Sequence, residues 1–138
     1  MVRWLGIMPD DVKYRTTVRI WKEFRFEAAH RLTMVPPDHK CARLHGHSYR
    51  VRVHCAGRLD PTRDWVIDYA DIAAAARPAV AELDHRNLND ILTGETTAEN
   101  IAFWFLDRLR PRLLCLEAVE VFETPGTGVR VAVADLPG

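Results

Sequence analysis

The sequence predicts an α+β domain, a four-stranded antiparallel sheet in the order β-β-α-α-β-β with two helices layered on one face. Three observations carry this. Residues 15–26 and 45–55 alternate apolar and polar side chains with the period of a half-buried strand, two central segments place apolar residues at helical spacing, and the chain closes on a hairpin pattern over 119–133.

Residues 1–14 show no clean period and contain Pro9-Asp10-Asp11, so they read as an N-terminal extension, with Trp4 and Leu5 available for packing; 15–138 read as a single domain. In the first strand Val18, Ile20, Phe24 and Phe26 share parity, broken at Lys22. Pro36-Pro37-Asp38 makes 33–43 a loop. The second strand puts His45, His47, Tyr49, Val51, Val53 and Cys55 on one face, and Ser48, Arg50, Arg52 and His54 on the other. Asp68 stands at a helix N-cap ahead of Ile72, Ala75, Ala76, Ala79, Val80 and Leu83. Pro78 inside that run removes an N–H and predicts a kink or break. Thr96-Thr97-Ala98-Glu99 opens a second helix, stopped by Pro111, through a capping box of Thr96 and Glu99. The final hairpin pairs Val119, Val121 and Glu123 with Val129, Val131 and Val133 across a Thr-Pro-Gly-Thr-Gly loop. Covering one sheet face with helices leaves the other solvated or used for assembly. Unpaired edge strands on so small a sheet favour edge-to-edge oligomerisation that closes a barrel across subunits.

Composition bounds the function. At 138 residues and 15.8 kDa the chain fits one domain, and 48% hydrophobic residues suffice for a core. Nineteen basic residues balance nineteen acidic ones, so the field that draws proteins to nucleic acid or anionic membrane is missing, and neither is an expected partner. No apolar run reaches membrane-span length and residues 1–10 lack an export signature, which makes the cytoplasm the expected compartment. Cys41, Cys55 and Cys115 form no Cys-x-x-Cys pair, which argues against a disulfide framework or a four-thiolate zinc site.

The chemistry starts at His45-Gly46-His47. Two imidazoles at i and i+2 of a strand project from one face, close enough to share a metal ion. His30, at the end of Phe26-Glu27-Ala28-Ala29-His30, supplies a third ligand if the two strands pair antiparallel. The alternative is a set of surface histidines, but their parity with Tyr49, Val51 and Val53 puts them on the apolar face, where ring nitrogens need partners. Three imidazoles without a fourth protein ligand match the open coordination of catalytic zinc. A closed structural site needs a fourth ligand; His39 and His54 are candidates, and by parity His54 faces away.

Cys41, four residues before His45, is either a small buried hydrophobe or a thiol that a nearby cation turns into a general base or nucleophile. Cys55 and Cys115 read as buried hydrophobes. Asp84-His85 sets a carboxylate beside an imidazole, a pairing that orients a proton shuttle, though Asp84 can equally cap the chain after the helix. Glu123 shares the parity of Val119 and Val121, so a charge points to the core side. A planar ligand edge with two parallel N–H donors compensates such a carboxylate. Thr96, Thr97 and Glu99 cap a helix, line a ligand, or do both.

Taken together, F-E-A-A-H-R-L, C-A-R-L-H-G-H, V-I-D-Y-A-D, L-D-H-R-N-L-N-D, T-T-A-E-N and E-T-P resemble the 6-pyruvoyltetrahydropterin synthase family over about residues 19–133. Within it the resemblance is closest to the bacterial 6-carboxytetrahydropterin synthase branch. Cys41 and His45 are separated by three residues as in that branch, and Leu44 stands where a glutamate marks a variant serving folate synthesis. The resemblance implies the tunnelling fold, in which trimers close a barrel and two trimers stack into a homo-hexamer. It also implies zinc on His30, His45 and His47, catalysis by Cys41, Asp84 and His85, a pterin anchored by Glu123, and a pocket lined by Thr96, Thr97 and Glu99. The implied reaction converts 7,8-dihydroneopterin triphosphate to 6-carboxy-5,6,7,8-tetrahydropterin with loss of acetaldehyde and triphosphate, in 7-deazapurine (queuosine-type) biosynthesis. The alternatives are a 6-pyruvoyltetrahydropterin synthase, which eliminates triphosphate only, and a non-catalytic pterin-binding module.

Overall fold

The structure is a computed structural model and describes residues 8–138. Two long strands, β1 (Val18–His30) and β2 (His45–Gly57), pair antiparallel along their full length. Helix α2 (Tyr69–Leu83) and helix α3 (Ala98–Leu109) follow, then β4 (Leu116–Phe122) and β5 (Val129–Ala132). The sheet has five strands rather than four: a two-residue strand β3 (Arg86–Asn87) pairs in parallel with Ala28 and Ala29 of β1, giving the order β3-β1-β2-β4-β5. Two residues carry no readable alternation, which is why the sequence did not predict it.

The alternation in β1 and β2 sorts the faces as expected. Phe24, Phe26, Tyr49, Val51 and Val53 are buried beneath Ile72, Ala76 and Leu83 of α2 and Ile101, Phe105 and Leu109 of α3. Phe26 stacks on Tyr49 at 4.8 Å and 6°. The opposite face is charged: Arg50 and Arg52 both reach Glu23, at 3.2 and 3.1 Å, and His54 pairs with Glu120. His54 therefore faces away from the other histidines, as its parity predicts.

Two local expectations change. Helix α2 runs unbroken across Pro78. Residues 10–14, read as part of an irregular extension, and Arg15, read as the start of the first strand, form a short helix α1 (Asp10–Arg15) whose Lys13 and Tyr14 both bond the Asp64 carboxylate. Trp4 and Leu5 lie outside the described residues. Among the described residues no helix is long and apolar enough to cross a membrane.

Asp68 is the predicted cap of α2, its Oδ1 accepting the Ala70 N–H at 2.9 Å. Asp68→Ala should cost about 1 kcal/mol, a fall of about 3–5 °C in melting temperature, with no loss of ligand binding. Thermal unfolding measures the first, and titration with metal the second.

Candidate metal centre and its pocket

Antiparallel pairing places His30 directly opposite His45, and Ala28 opposite His47. All three imidazoles therefore leave the sheet on the helix side, at one end. Their ring centroids are 4.6, 5.1 and 4.9 Å apart, and one ligand atom from each lies within 4.8 Å of the others. Gly46 has to separate the pair on β2, because a Cβ there would stand 3.3 Å from the Ala28 carbonyl oxygen.

Backbone carbonyls set the ring tautomers. His30 Nδ1 lies 2.8 Å from the Thr96 carbonyl, and His45 Nδ1 lies 2.7 Å from that of Arg43. A carbonyl only accepts, so both Nδ1 atoms carry the proton and both Nε2 atoms keep a lone pair. Nε2 of His30 and of His47 is buried with no hydrogen-bond partner. Burial also holds both imidazoles below the ordinary value of 6.5, against the opposing pull of Glu123, so they stay neutral at pH 7. Three clustered imidazoles, two of them oriented from behind by carbonyls and two with buried, unsatisfied Nε2 atoms, fit a divalent metal such as zinc.

The cluster forms one wall of a pocket of about 760 Å³, which also contains Cys41, Glu123, Thr97, Glu99 and Lys40. That volume suits a small-molecule ligand. Glu123 follows β4 directly, with its oxygens 3.9 Å from His30 Nε2 and 4.0 Å from His47 Nε2. Cys41 sits on a 3-10 turn (Lys40–Ala42), half-buried, its N–H donating to His39 Nδ1 at 3.0 Å. The other two thiols are also unpaired; Cys55 is fully buried, which pushes it up to about 12, while Cys115 is only partly buried.

Two predicted sets are redistributed. The capping box does not form: Thr97 is the N-cap of α3, accepting from Asn100 N at 3.3 Å. Thr96 instead is fully buried behind the cluster, where its carbonyl holds His30 and its hydroxyl reaches the Arg31 carbonyl at 3.2 Å. Thr97 and Glu99 line the pocket and Thr96 does not. The box fails because Thr96, whose carbonyl meets His30 and whose hydroxyl meets His30 and the Arg31 carbonyl, has no side-chain oxygen left to cap the helix.

Asp84 and His85 also lie apart from Cys41 within one chain. They pair at 3.0 Å, and His85 lines a second cleft, reached past Gly46, that shares His47 with the first. His85 takes a left-handed backbone, φ 58°, and its side chain is 78% exposed. Asp84 accepts the Glu27 N–H at 2.9 Å while the His85 N–H donates to the Glu27 carbonyl at 2.6 Å, so the turn is clamped to β1. The Glu27 N–H, and then the imidazole of His85, hold the Asp84 carboxyl below its usual range. The clamp thus presents the His85 imidazole to solvent in a fixed orientation, outside the pocket that holds Cys41.

The carbonyls of Thr96 and Arg43 were missed by sequence reasoning, since every residue carries one and nothing in a sequence singles out those that orient an imidazole. Lys40 was missed too; its adjacency to Cys41 was the available signal.

Comparison with known proteins follows from this geometry. Residues 19–133 match the family model described as 6-pyruvoyl tetrahydropterin synthase. The chain is 44% identical over 120 residues to a 6-carboxy-5,6,7,8-tetrahydropterin synthase of Synechocystis sp., covering 80% of this chain and 90% of that protein. It is 36% identical over 95 residues to a dihydroneopterin monophosphate aldolase of Pyrococcus furiosus, covering 69% and 77%. Among solved structures it resembles the 6-pyruvoyl tetrahydropterin synthase of Caenorhabditis elegans, with a TM-score of 0.78 and 28% identity over 85% of this chain and 96% of that one.

Proposed function

This chain belongs to the 6-pyruvoyl tetrahydropterin synthase family, and from that premise we propose that it is a zinc-dependent 6-carboxy-5,6,7,8-tetrahydropterin synthase. It takes 7,8-dihydroneopterin triphosphate and water to 6-carboxy-5,6,7,8-tetrahydropterin, acetaldehyde and triphosphate. The observation that carries the reading is the convergence of His30, His45 and His47, the Nε2 atoms of His30 and His47 buried and unsatisfied, on a pocket that also holds Cys41 and Glu123. Identity of 44% to a relative of that name favours this product over the pyruvoyl alternative.

His30, His45 and His47 would hold the zinc, which when bound would supply Lewis acidity toward the carbons beside the substrate's side-chain oxygens. The protein does the rest. Glu123 accepts the two parallel N–H bonds of the amino-pyrimidine edge, which sets the ring in register. Cys41 moves a proton as the thiolate, and His85, oriented by Asp84 at 3.0 Å, moves another. Since His85 opens away from its own chain's pocket, the Asp84-His85 pair of one subunit serves the pocket of the next. That arrangement needs an adjacent subunit, and the edge strands β3 and β5 are where a barrel of trimers, stacked in pairs as a homo-hexamer, would be joined. Thr97 and Glu99 contact the ring from the first turn of α3. The product feeds 7-deazapurine biosynthesis, of the queuosine type, in the cytoplasm.

Incubation of the zinc-loaded protein with dihydroneopterin triphosphate should release acetaldehyde and triphosphate in equal amounts. Triphosphate with a three-carbon product and no acetaldehyde would establish the pyruvoyl reaction instead, and binding without turnover a pterin-binding module.

A further inference from the structure

Between β1 and β2 the chain runs for fourteen residues, 31–44, without one buried side chain, yet this segment carries Cys41. Its apolar side chains are at most half-buried, so packing holds it weakly and hydrogen bonds do most of the placing. Those of Thr33 and Met34 converge on the short stretch before α3. Glu95 Oε1 accepts the N–H and the hydroxyl of Thr33, at 2.8 and 3.1 Å, and Oε2 accepts the N–H of Met34 at 2.7 Å. The start of the loop is joined to the thiol turn by the Leu32 N–H, which donates to the Cys41 carbonyl at 2.8 Å. Glu95 is itself fixed, because Asn100 Nδ2 in the first turn of α3 donates to its carbonyl at 2.8 Å. Its neighbour Thr96 orients the metal ligand His30 through the contact at 2.8 Å. Two adjacent residues thus hold the two halves of the pocket, Glu95 the thiol loop and Thr96 the metal cluster.

We propose that Glu95 is a positioning residue whose two carboxylate oxygens latch the Cys41 loop to the base of α3, setting the thiol at its working distance from the metal cluster. Both oxygens are needed, since each receives a backbone N–H. A carboxamide at this position keeps one acceptor and turns an N–H₂ group against the other donor, so Glu95→Gln opens half of the latch. The N–H groups of Thr33 and Met34 hold the Glu95 carboxyl below its usual range, so the latch stays ionised at neutral pH. The proposal rests on the reading that Cys41 is catalytic, and its test has arms that do not require turnover.

The experiment compares wild-type and Glu95→Gln enzyme, both zinc-loaded, by amide hydrogen exchange, site-resolved alkylation of Cys41 with iodoacetamide, and steady-state kinetics. The amides of Thr33 and Met34 should exchange about tenfold faster in the variant, and Cys41 should alkylate about threefold faster. Turnover should fall by about tenfold with KM within about twofold, because misplacing a reacting group by an ångström costs rate more than binding. Zinc content and melting temperature should not change. Unchanged exchange, or faster exchange with unchanged kcat, overturns the proposal, as does a loss of kcat that merely follows a loss of zinc or of folded protein. If the wild-type enzyme turns over no pterin, the catalytic reading fails by itself. Alkylation of Cys41 then decides the latch, a faster rate in the variant supporting it and an equal rate overturning it.

Discussion

Cys41→Ala should lower turnover of dihydroneopterin triphosphate by about three orders of magnitude while leaving the metal in place, since a positioned proton-transfer group contributes about 10²–10⁴-fold. The thiol lines the pocket but stands outside the group of atoms able to share a metal, which among the described residues consists of His30, His45 and His47 alone. Losing it therefore removes a proton carrier and no ligand. Cys41→Ser should be nearly as inactive, because a hydroxyl does not ionise near neutral pH. Elemental analysis beside the acetaldehyde assay separates the outcomes. If zinc leaves with the sulfur, Cys41 was a fourth ligand, the shell was closed, and the site is structural.

The second large effect is on the metal. His47→Ala should reduce bound zinc from about one ion per chain to below about a tenth at micromolar free zinc, and abolish turnover, because a two-imidazole site lacks the donors of a stable centre. His54→Ala is the matched control. It lies on the same strand seven residues on, but its ring faces the other side of the sheet and pairs with Glu120, so zinc should be retained. The pH dependence of the metal-free protein follows from the same burial. His30 and His47 are held below 6.5 in the folded chain, so the unfolded chain binds more protons as pH falls through 6.5, and stability is lost on the acid side of that value. Denaturant unfolding of the metal-free protein at pH 7.5 and 5.5 should show it, with the loss reduced when zinc is restored. Equal stability at the two values would mean that the rings are not desolvated as the structure has them.

Several features of the site could be read from residues alone because strand periodicity is rigid. A two-residue step returns a side chain to the same face, so His45 and His47 had to project together with Tyr49 and Val51, and His54 had to face away. Asp68 as the cap of α2 was equally legible, since an aspartate before a helical run has one local job. The capping box was not, because Thr96 met a competing demand from a residue 66 positions away. The two-residue β3 was invisible for a related reason: Arg86 and Asn87 become a strand only because Asp84 and His85 are clamped to Glu27.

Residue parity and spacing by themselves determined the buried face of each long strand, the shared face of His45 and His47 and the position of the thiol in the loop leading into them, because each depends on backbone geometry within one stretch of chain. Tertiary structure decided the rest. The register that sets His30 against His45, the carbonyls that leave Nε2 free, the carboxylate of Glu95 on the thiol loop and the separation of Asp84-His85 from the pocket all join residues distant in the chain. Such pairings are fixed by how whole elements pack, and a hydrogen bond between them leaves no period in the sequence.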